Sequence, residues 1–498
     1  MSPDDPVLNP YPQFDPYVAA AWGVRVATTE EGRAVAYVED SLLVTAEVGR
    51  LAGLLDEVAS VAKELGLGVE HSELGVPARH DPPVEGLNPE TGKVTLDGVT
   101  GTVDALTVLQ RIGRGKGLAL DHIMVATPYY AGVPYYAGVP YYAGVPYYAG
   151  VPYYAGVGAP VTSYGAPGMG GRAPVAVVLP DPAERRRELK RAPVVVIPDT
   201  GLEKHPWFAD ASLATAEVYV DGQLLGRFGS VPGSATPEPP RNPLDGTVPP
   251  FAGHGTFAAG LVRQLCPEAR ILGIPVMTDD GVVAESCLLA TLQSLRARQL
   301  GALSADDESE LIDIISLSLG YYHEQPADAL SDGPLRLLLE DLGRLGVLVV
   351  AGAGNNSTTA PMFPAGFASG PATGECLPLM GVGALNPEGT VAYFSNAGPW
   401  VSCHRAGAAV VSTMPVDTGG DRQSIAAMEV AAQRRGTIDT DDFSGGFATW
   451  SGTSFAAPVL AGELARRLAE DERPGNHLAE ALDKGWDAIA HELGWERP

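Results

Sequence analysis

Three short motifs in the 498-residue chain set a carboxylate, an imidazole and a hydroxyl beside glycines. Asp199-Thr200-Gly201 directly follows the apolar run Val194 to Ile197, whose length fits a buried strand. A carboxylate at the carboxyl end of a parallel strand points into the crevice where α/β folds bind ligands. The same tripeptide also serves as an ordinary turn. Gly253-His254-Gly255-Thr256 opens a helical pattern, and the flanking glycines leave the imidazole approachable from both sides. An exposed loop histidine would read the same way. In Ser451-Gly452-Thr453-Ser454-Phe455-Ala456-Ala457-Pro458, Ser454 follows a glycine turn and starts an apolar helix running to about Leu468. The helix dipole and the free amides of the first turn favour negative charge developing there. The plainer role of such a serine is an N-cap, although Gly-Thr-Ser-x-Ala-x-Pro is more demanding than a cap requires.

The elements that must position these groups alternate from Ala192 onward. Short apolar strand candidates are Pro193 to Pro198, Ala269 to Pro275, Ile312 to Leu319, Val347 to Ala351, Met380 to Ala384 and Ala408 to Thr413. Helical periods lie between several of them, around Thr256 to Leu265, Ala284 to Leu300 and Pro334 to Leu345. Continuous apolar runs of this length are how parallel strands buried on both faces read, so the expected fold class is α/β with a doubly wound, mostly parallel sheet.

The three motifs, in this order, resemble the signatures of the subtilisin family of serine proteases. Further likenesses run from Val194 to Leu464: His205-Pro206 after the aspartate, Ser318-Leu319-Gly320 as a cleft-lining strand end, Ala353-Gly354-Asn355, Phe363-Pro364-Ala365, and Phe394-Ser395-Asn396-Ala397-Gly398. The resemblance implies a serine endopeptidase in which Ser454 attacks the scissile carbonyl, His254 takes its proton and Asp199 holds the imidazole. Asn355 would complete the oxyanion hole with the Ser454 amide; Asn356 is the neighbouring candidate. Losing such a side-chain donor costs about 2.7–4 kcal/mol of transition-state stabilisation, a magnitude known from subtilisin itself. Ser318, Leu319, Gly320, Ala353 and Gly354 would bind the substrate backbone as an added strand. Polypeptide is therefore the expected substrate. No cofactor is required, and structural calcium is possible, although no pattern names its ligands.

Some features depart from the family. Pro198 precedes Asp199, and Phe257 stands where many members carry a second histidine. Between Thr413 and Ser451 the chain is longer than the family core needs, with a helical stretch expected near Ser424 to Arg434. The sedolisin type, which replaces the histidine by glutamate, is disfavoured by the intact Gly-His-Gly-Thr. A catalytically silent binding or scaffold protein of the same fold is the reading from another functional class.

Residues 33–126 read as a small α/β unit within an N-terminal domain spanning 1–126. Its expected order is strand (Ser41 to Ala46), helix (Glu47 to Leu65), strands (Val69 to Leu74 and around Lys93 to Leu96), helix (Val103 to Ile112) and strand (Leu118 to Val125), which is that of a ferredoxin-like fold. By resemblance this is a propeptide, the chain's own intramolecular inhibitor in a zymogen, with Met124 to Tyr129 as the inhibitory tail. From Tyr129 to Val157 the unit Tyr-Tyr-Ala-Gly-Val recurs five times, joined by prolines, and holds ten of the 18 tyrosines. A proline every six residues prevents a stable helix and removes sheet donors, so residues 127–190 are expected to be a linker. A docking or self-association segment is the functional alternative for the tract. Pro182 to Arg191 is a short helix candidate, and the catalytic domain is expected to span 191–498.

Bulk composition excludes other classes. A net charge of −27 opposes electrostatic binding of nucleic acid or an anionic membrane. No apolar run is long enough to span a bilayer. Four cysteines, Cys266, Cys287, Cys376 and Cys403, lack zinc-site spacing and are too sparse for a disulfide framework. Met1 to Asp15 carries no Lys or Arg and no apolar stretch of the secretory kind. A reducing, cytoplasmic location is the expectation, with non-standard export as the alternative.

Overall fold

The computed structural model describes residues 23–28, 34–79, 86–113, 116–126, 172–177, 180–226, 246, 248–325, 327, 329–330, 333–369, 373–421, 423–424, 426–471, 473 and 477–498. The tyrosine tract lies outside the described residues, as does the part of the expected tail beyond Ala126.

The N-terminal domain runs β1 (Val24–Thr28), β2 (Ala34–Thr45), α1 (Val48–Glu64), β3 (Gly68–Glu73), β4 (Thr91–Asp97), α2 (Ala105–Ile112) and β5 (Leu118–Ala126). Its strands pair antiparallel in the order β5-β2-β4-β3, with β1 beside the first half of β2, which is a ferredoxin-like sheet. Strand alternation sorts the side chains. Leu42 and Val44 face Leu54 and Val58 of α1 and Val108 and Leu109 of α2, whereas Leu43 turns to the opposite side. Asp104 fixes the start of α2 through a capping box with Thr107.

Further along the chain come β6 (Ala173–Pro174), β7 (Val194–Asp199), β8 (Ala214–Thr215), β9 (Tyr219–Val220), β10 (Gln223–Leu224), α3 (His254–Leu265), β11 (Arg270–Pro275), β12 (Val282–Ala284) and α4 (Glu285–Ala305). They are followed by β13 (Ile314–Leu317), β14 (Leu319–Gly320), α5 (Pro334–Arg344), β15 (Leu348–Gly352), β16 (Leu379–Leu385), β17 (Cys403–Ala406) and β18 (Val410–Thr413). Last are β19 (Ala427–Val430), β20 (Gln433–Gly436), β21 (Phe447–Trp450), α6 (Thr453–Glu470) and α7 (Leu478–Leu493). Seven strands form one parallel sheet in the order β17-β16-β15-β13-β7-β11-β8. Along β7, Val194 and Val196 face α4 and α5, while Val195 and Ile197 face α3 and α6. Helices thus cover both faces, as the continuous apolar runs require. From β7 the chain goes to the edge strand β8 and back to β11 on one side, and later to β13 on the other, so the strand order reverses at β7.

Three expectations need correction. Val410–Thr413 does not join the parallel sheet; it pairs antiparallel with β21, and Cys403–Ala406 takes the sheet edge instead. The stretch expected to be helical near Ser424 to Arg434 is an exposed two-stranded ribbon, β19–β20, with Ala431 and Ala432 in the left-handed region at its turn. The two-residue turn, Ala431-Ala432, carries none of the Asn, Asp or Gly that mark a hairpin, and alanine's helix propensity masked the ribbon. Pro182 to Arg191 contains only a 3-10 turn, Pro182–Arg185.

The N-terminal sheet rests on α4 and α5. The Gln293 amide acts as a missing strand neighbour, accepting from the Thr91 N–H at 2.6 Å and donating to the Leu74 and Thr91 carbonyls at 2.6 and 3.2 Å. Beside it, Arg296 of α4 pairs with buried Asp341 of α5 at 2.6 Å, and Asp341 also accepts from the Asn88 N–H. None of the four cysteines forms a disulfide among the described residues. Replacing Gln293 by Ala strands the Thr91 N–H and the Leu74 carbonyl, and is expected to cost about 1–3 kcal/mol. Urea unfolding of the full chain in a Ser454→Ala background measures it.

Candidate active site

Asp199 ends β7 where the strand order reverses, the place at which open α/β sheets present ligand-binding groups. Pro198 is tolerated because β13 pairs with β7 only as far as Val196, so no ladder bond is lost on that side. The Asp199 backbone carbonyl accepts from the Val276 and Met277 amides at 2.8 and 3.0 Å. Its Oδ1 accepts from the Thr200 amide and bonds His254 Nδ1, both at 2.7 Å.

His254 is the first residue of α3, and Gly253 before it takes the left-handed N-cap position at φ 79°. A Cβ on Gly253 would lie 2.7 Å from Pro415 Cδ, and one on Gly255 would lie 2.3 Å from the Gly201 carbonyl. Gly255 therefore lets the helix start press against the Asp199 loop, and Gly253 lets it pass close to Met414 and Pro415. Glycine cannot cap a helix with a side chain, and Thr200 does so in its place, its Oγ1 accepting from the Gly255 N–H at 3.0 Å. The His254 ring is fully buried, with Trp450 edge-on at 5.5 Å and Phe455 tilted at 5.3 Å.

Ser454 lies in the first turn of α6, after the Gly452 N-cap. Pro458 sits four residues later and has no N–H, so the Ser454 carbonyl lacks its intrahelical donor. Ser318, just past β13, supplies one: its Oγ donates to the Ser454 carbonyl at 2.8 Å, and its own carbonyl accepts from Ser454 Oγ at 3.2 Å. Asn355 follows β15 and caps the same helix, its Oδ1 accepting from the Thr453 N–H at 2.9 Å, while Thr453 Oγ1 accepts from the Gly354 N–H at 2.9 Å. Because Oδ1 faces an N–H donor, the Nδ2 group of Asn355 is the end turned away from Thr453. His254 Nε2 is buried with no hydrogen-bond partner among the described residues.

The other expected residues divide into two sets. Leu319 and Gly320 pair antiparallel with Ala126 and Val125 of β5. Ala353 and Gly354 instead use their backbone inside the domain: Ala353 bonds the Val382 carbonyl and the Asn396 amide, and the Gly354 carbonyl accepts from the Asn396 N–H. On the far side of β5, Val282–Ala284 pairs with Ile123–Val125, a contact not foreseen because two valines before a helix read from Ala284 give no strand signal of their own.

Also missed was Arg172, fully buried just beyond the glycine-rich stretch. Its guanidinium donates to the Pro249, Pro250 and Ala252 carbonyls at 2.7, 2.7 and 3.0 Å and covers the Trp450 ring at 5.1 Å. It thereby braces the aromatic wall behind His254; one arginine after a long glycine- and proline-rich run gave no signal of this. His205 caps a short turn through the Trp207 N–H, and burial holds its imidazole down to about 4.

Ser318→Ala is expected to leave the Ser454 carbonyl without its side-chain donor and to lower stability by about 1–3 kcal/mol. Urea unfolding of Ser318→Ala in the Ser454→Ala background checks this, since that background keeps the backbone carbonyl at position 454. A change below about 0.5 kcal/mol would show that the carbonyl does not depend on Ser318.

Comparison with known proteins gives the same frame. The sequence model of the subtilase family matches residues 190–480. The chain is 25% identical over 314 residues to the serine protease AprX of Bacillus subtilis, covering 59% of this chain and 61% of that protein. It is 27% identical over 247 residues to a thermophilic serine proteinase of Bacillus sp., covering 48% and 47% of the two. Against subtilisin BL of Lederbergia lenta it is 26% identical over 311 residues, 60% of this chain and 86% of that one. It thus spans about three-fifths of AprX and under half of the thermophilic proteinase. A solved cold-adapted subtilisin-like serine proteinase aligns at 19% identity and a TM-score of 0.36, over 60% of this chain and 84% of that one. The family match extends over more than half of the chain, from just before the Asp199 strand to the start of the last helix: this chain belongs to the subtilase family.

Proposed function

We propose that the chain is a serine endopeptidase with Asp199, His254 and Ser454 as its triad. The observation that carries this reading is the buried 2.7 Å bond between Asp199 Oδ1 and His254 Nδ1, which directs the other ring nitrogen away from the carboxylate. Ser454 Oγ attacks the substrate carbonyl as its proton passes to His254 Nε2. In the conformation described, that hydroxyl donates to Ser318, so its O–H turns toward His254 Nε2 before proton transfer. Asp199 keeps the Nδ1 proton in place and stabilises the imidazolium. The negative charge that builds on the carbonyl oxygen falls to the Ser454 amide and Asn355 Nδ2, whose orientation the Thr453 amide sets. His254 then returns its proton to the leaving amine, and water resolves the acyl-enzyme by the same route in reverse.

The same reading makes the N-terminal domain an intramolecular inhibitor. A polypeptide substrate lying between Val282–Ala284 and Leu319–Gly320 would form the middle strand of three. Ile123 to Ala126 of β5 already occupies that position, so a substrate and β5 exclude each other. Latency through residues 1–126 would hold the protease in check until the chain is cut beyond Ala126. Intact mass followed over time is expected to show wild type losing its N-terminal region while Ser454→Ala stays whole. Equal persistence of both chains, with no cleavage of added unfolded protein, would contradict the proposal.

A further inference from the structure

His122 lies in β5, four residues before its end, and is 1% exposed. It serves no step of the chemistry above, yet each of its ring nitrogens meets a carboxylate from the protease domain. Nδ1 bonds Glu285 at 2.8 Å, and Nε2 bonds Glu324 at 2.7 Å. A second imidazole stands beside it: His323 Nδ1 is 3.5 Å from the same Glu324 oxygen, and the two histidine rings are 4.8 Å apart. One ligating atom from each of His122, His323 and Glu324 falls within 4.8 Å of the others. Glu285 in turn accepts from the Tyr321 hydroxyl at 3.3 Å.

An ion pair alone does not need this arrangement. One imidazole between two buried carboxylates leaves net negative charge out of water even when the ring is protonated, which is costly. A divalent cation reverses that balance. The donors suit zinc: two imidazole nitrogens and one carboxylate oxygen are a familiar zinc set. A carboxylate on the far nitrogen of a ligating histidine, as Glu285 is on His122, fixes the tautomer and orients the ring. Bonds of about 2.0–2.2 Å in a tetrahedron put ligand atoms roughly 3.4 Å apart. The His323–Glu324 separation of 3.5 Å already fits that spacing, and the His122–Glu324 separation of 2.7 Å needs to open by under 1 Å. The Gln325 amide, which now donates to His323 Nδ1 at 3.0 Å, would yield that lone pair to the metal.

We propose that His122, His323 and Glu324, with Glu285 orienting His122, form a zinc site joining the N-terminal domain to the protease domain. Its ligands lie together at one end of the β5–β14 pairing, where the antiparallel register would continue. His122 lies three residues before Val125, and His323 and Glu324 lie three and four residues after Gly320, the Val125 partner. A bound metal would fasten β5 into the substrate position from just outside it. This consequence rests on the latency reading, but metal binding itself does not.

The test uses the full-length Ser454→Ala chain, stripped of metal and titrated with zinc against a chromophoric chelator, then with cobalt(II) as a visible-range reporter. One equivalent is expected to bind, with a rise in melting temperature and tetrahedral cobalt bands. His323→Ala and Glu324→Gln should lose stoichiometric binding, and Glu285→Gln should weaken it about 10–100-fold. His323 and Glu324 lie outside the regular elements, so these variants keep the test valid if His122→Ala unfolds. Absence of stoichiometric zinc binding by the parent chain, or binding unchanged in His323→Ala and Glu324→Gln, would overturn the site. Zinc binding that leaves wild-type N-terminal processing unaltered would keep the site and remove only its link to latency.

Discussion

The bond between Asp199 and His254 joins two elements that could not otherwise meet so closely. Asp199 is fixed by its strand, because β7 lies inside a parallel sheet and its final carbonyl is tied to Val276 and Met277. His254 is fixed by its helix, whose first turn approaches the strand end because residue 255 has no side chain. The helix start that this exposes is capped by Thr200, the neighbour of the carboxylate itself. Hydrogen bond, cap and close approach are therefore one device. The two helices that carry the imidazole and the hydroxyl, α3 and α6, lie on the same face of the sheet and share one core, so the device also sets where Ser454 stands.

A second constraint arises from proline. Pro458 within α6 removes a backbone donor one turn after Ser454, and the structure answers with Ser318 from the neighbouring strand end. The residue that stabilises the helix is thus directly followed by the strand on which a polypeptide would lie, Leu319–Gly320. β5 takes part in both domains: its first half completes the ferredoxin-like sheet, and its last residues bridge two short edge strands of the protease domain. Unpaired strand edges are templates for an extended backbone, and the chain supplies one from its own N-terminal domain.

Much of this was legible in the sequence because the parallel strands are short continuous apolar runs and the N-terminal helices keep a clear 3.6-residue period. Motif order pointed to Asp199, His254, Ser454 and Asn355, and the structure brings their elements to one place. Other features were hidden for physical reasons. Ala408 to Thr413 is as apolar as a buried parallel strand, yet only tertiary pairing decides that it lies antiparallel beside β21. Ala427 to Gly436 contains good helix formers, and its turn, Ala431-Ala432, lacks the Asn, Asp or Gly that would mark a hairpin. Val282–Ala284 is too short to stand out against the long helix that follows it. The grouping of His122 with Glu285 and Glu324 spans 163 and 202 residues of sequence, so no local pattern could announce it.

The central claim is that Ser454 is a nucleophile activated by His254. Labelling with a fluorophosphonate probe, mapped by peptide mass spectrometry after limited proteolysis has removed the N-terminal domain, tests it most directly. The account predicts a single adduct on Ser454 that is lost in His254→Ala. A folded, N-terminally trimmed chain that carries no adduct on Ser454, or labels equally without His254, would contradict it.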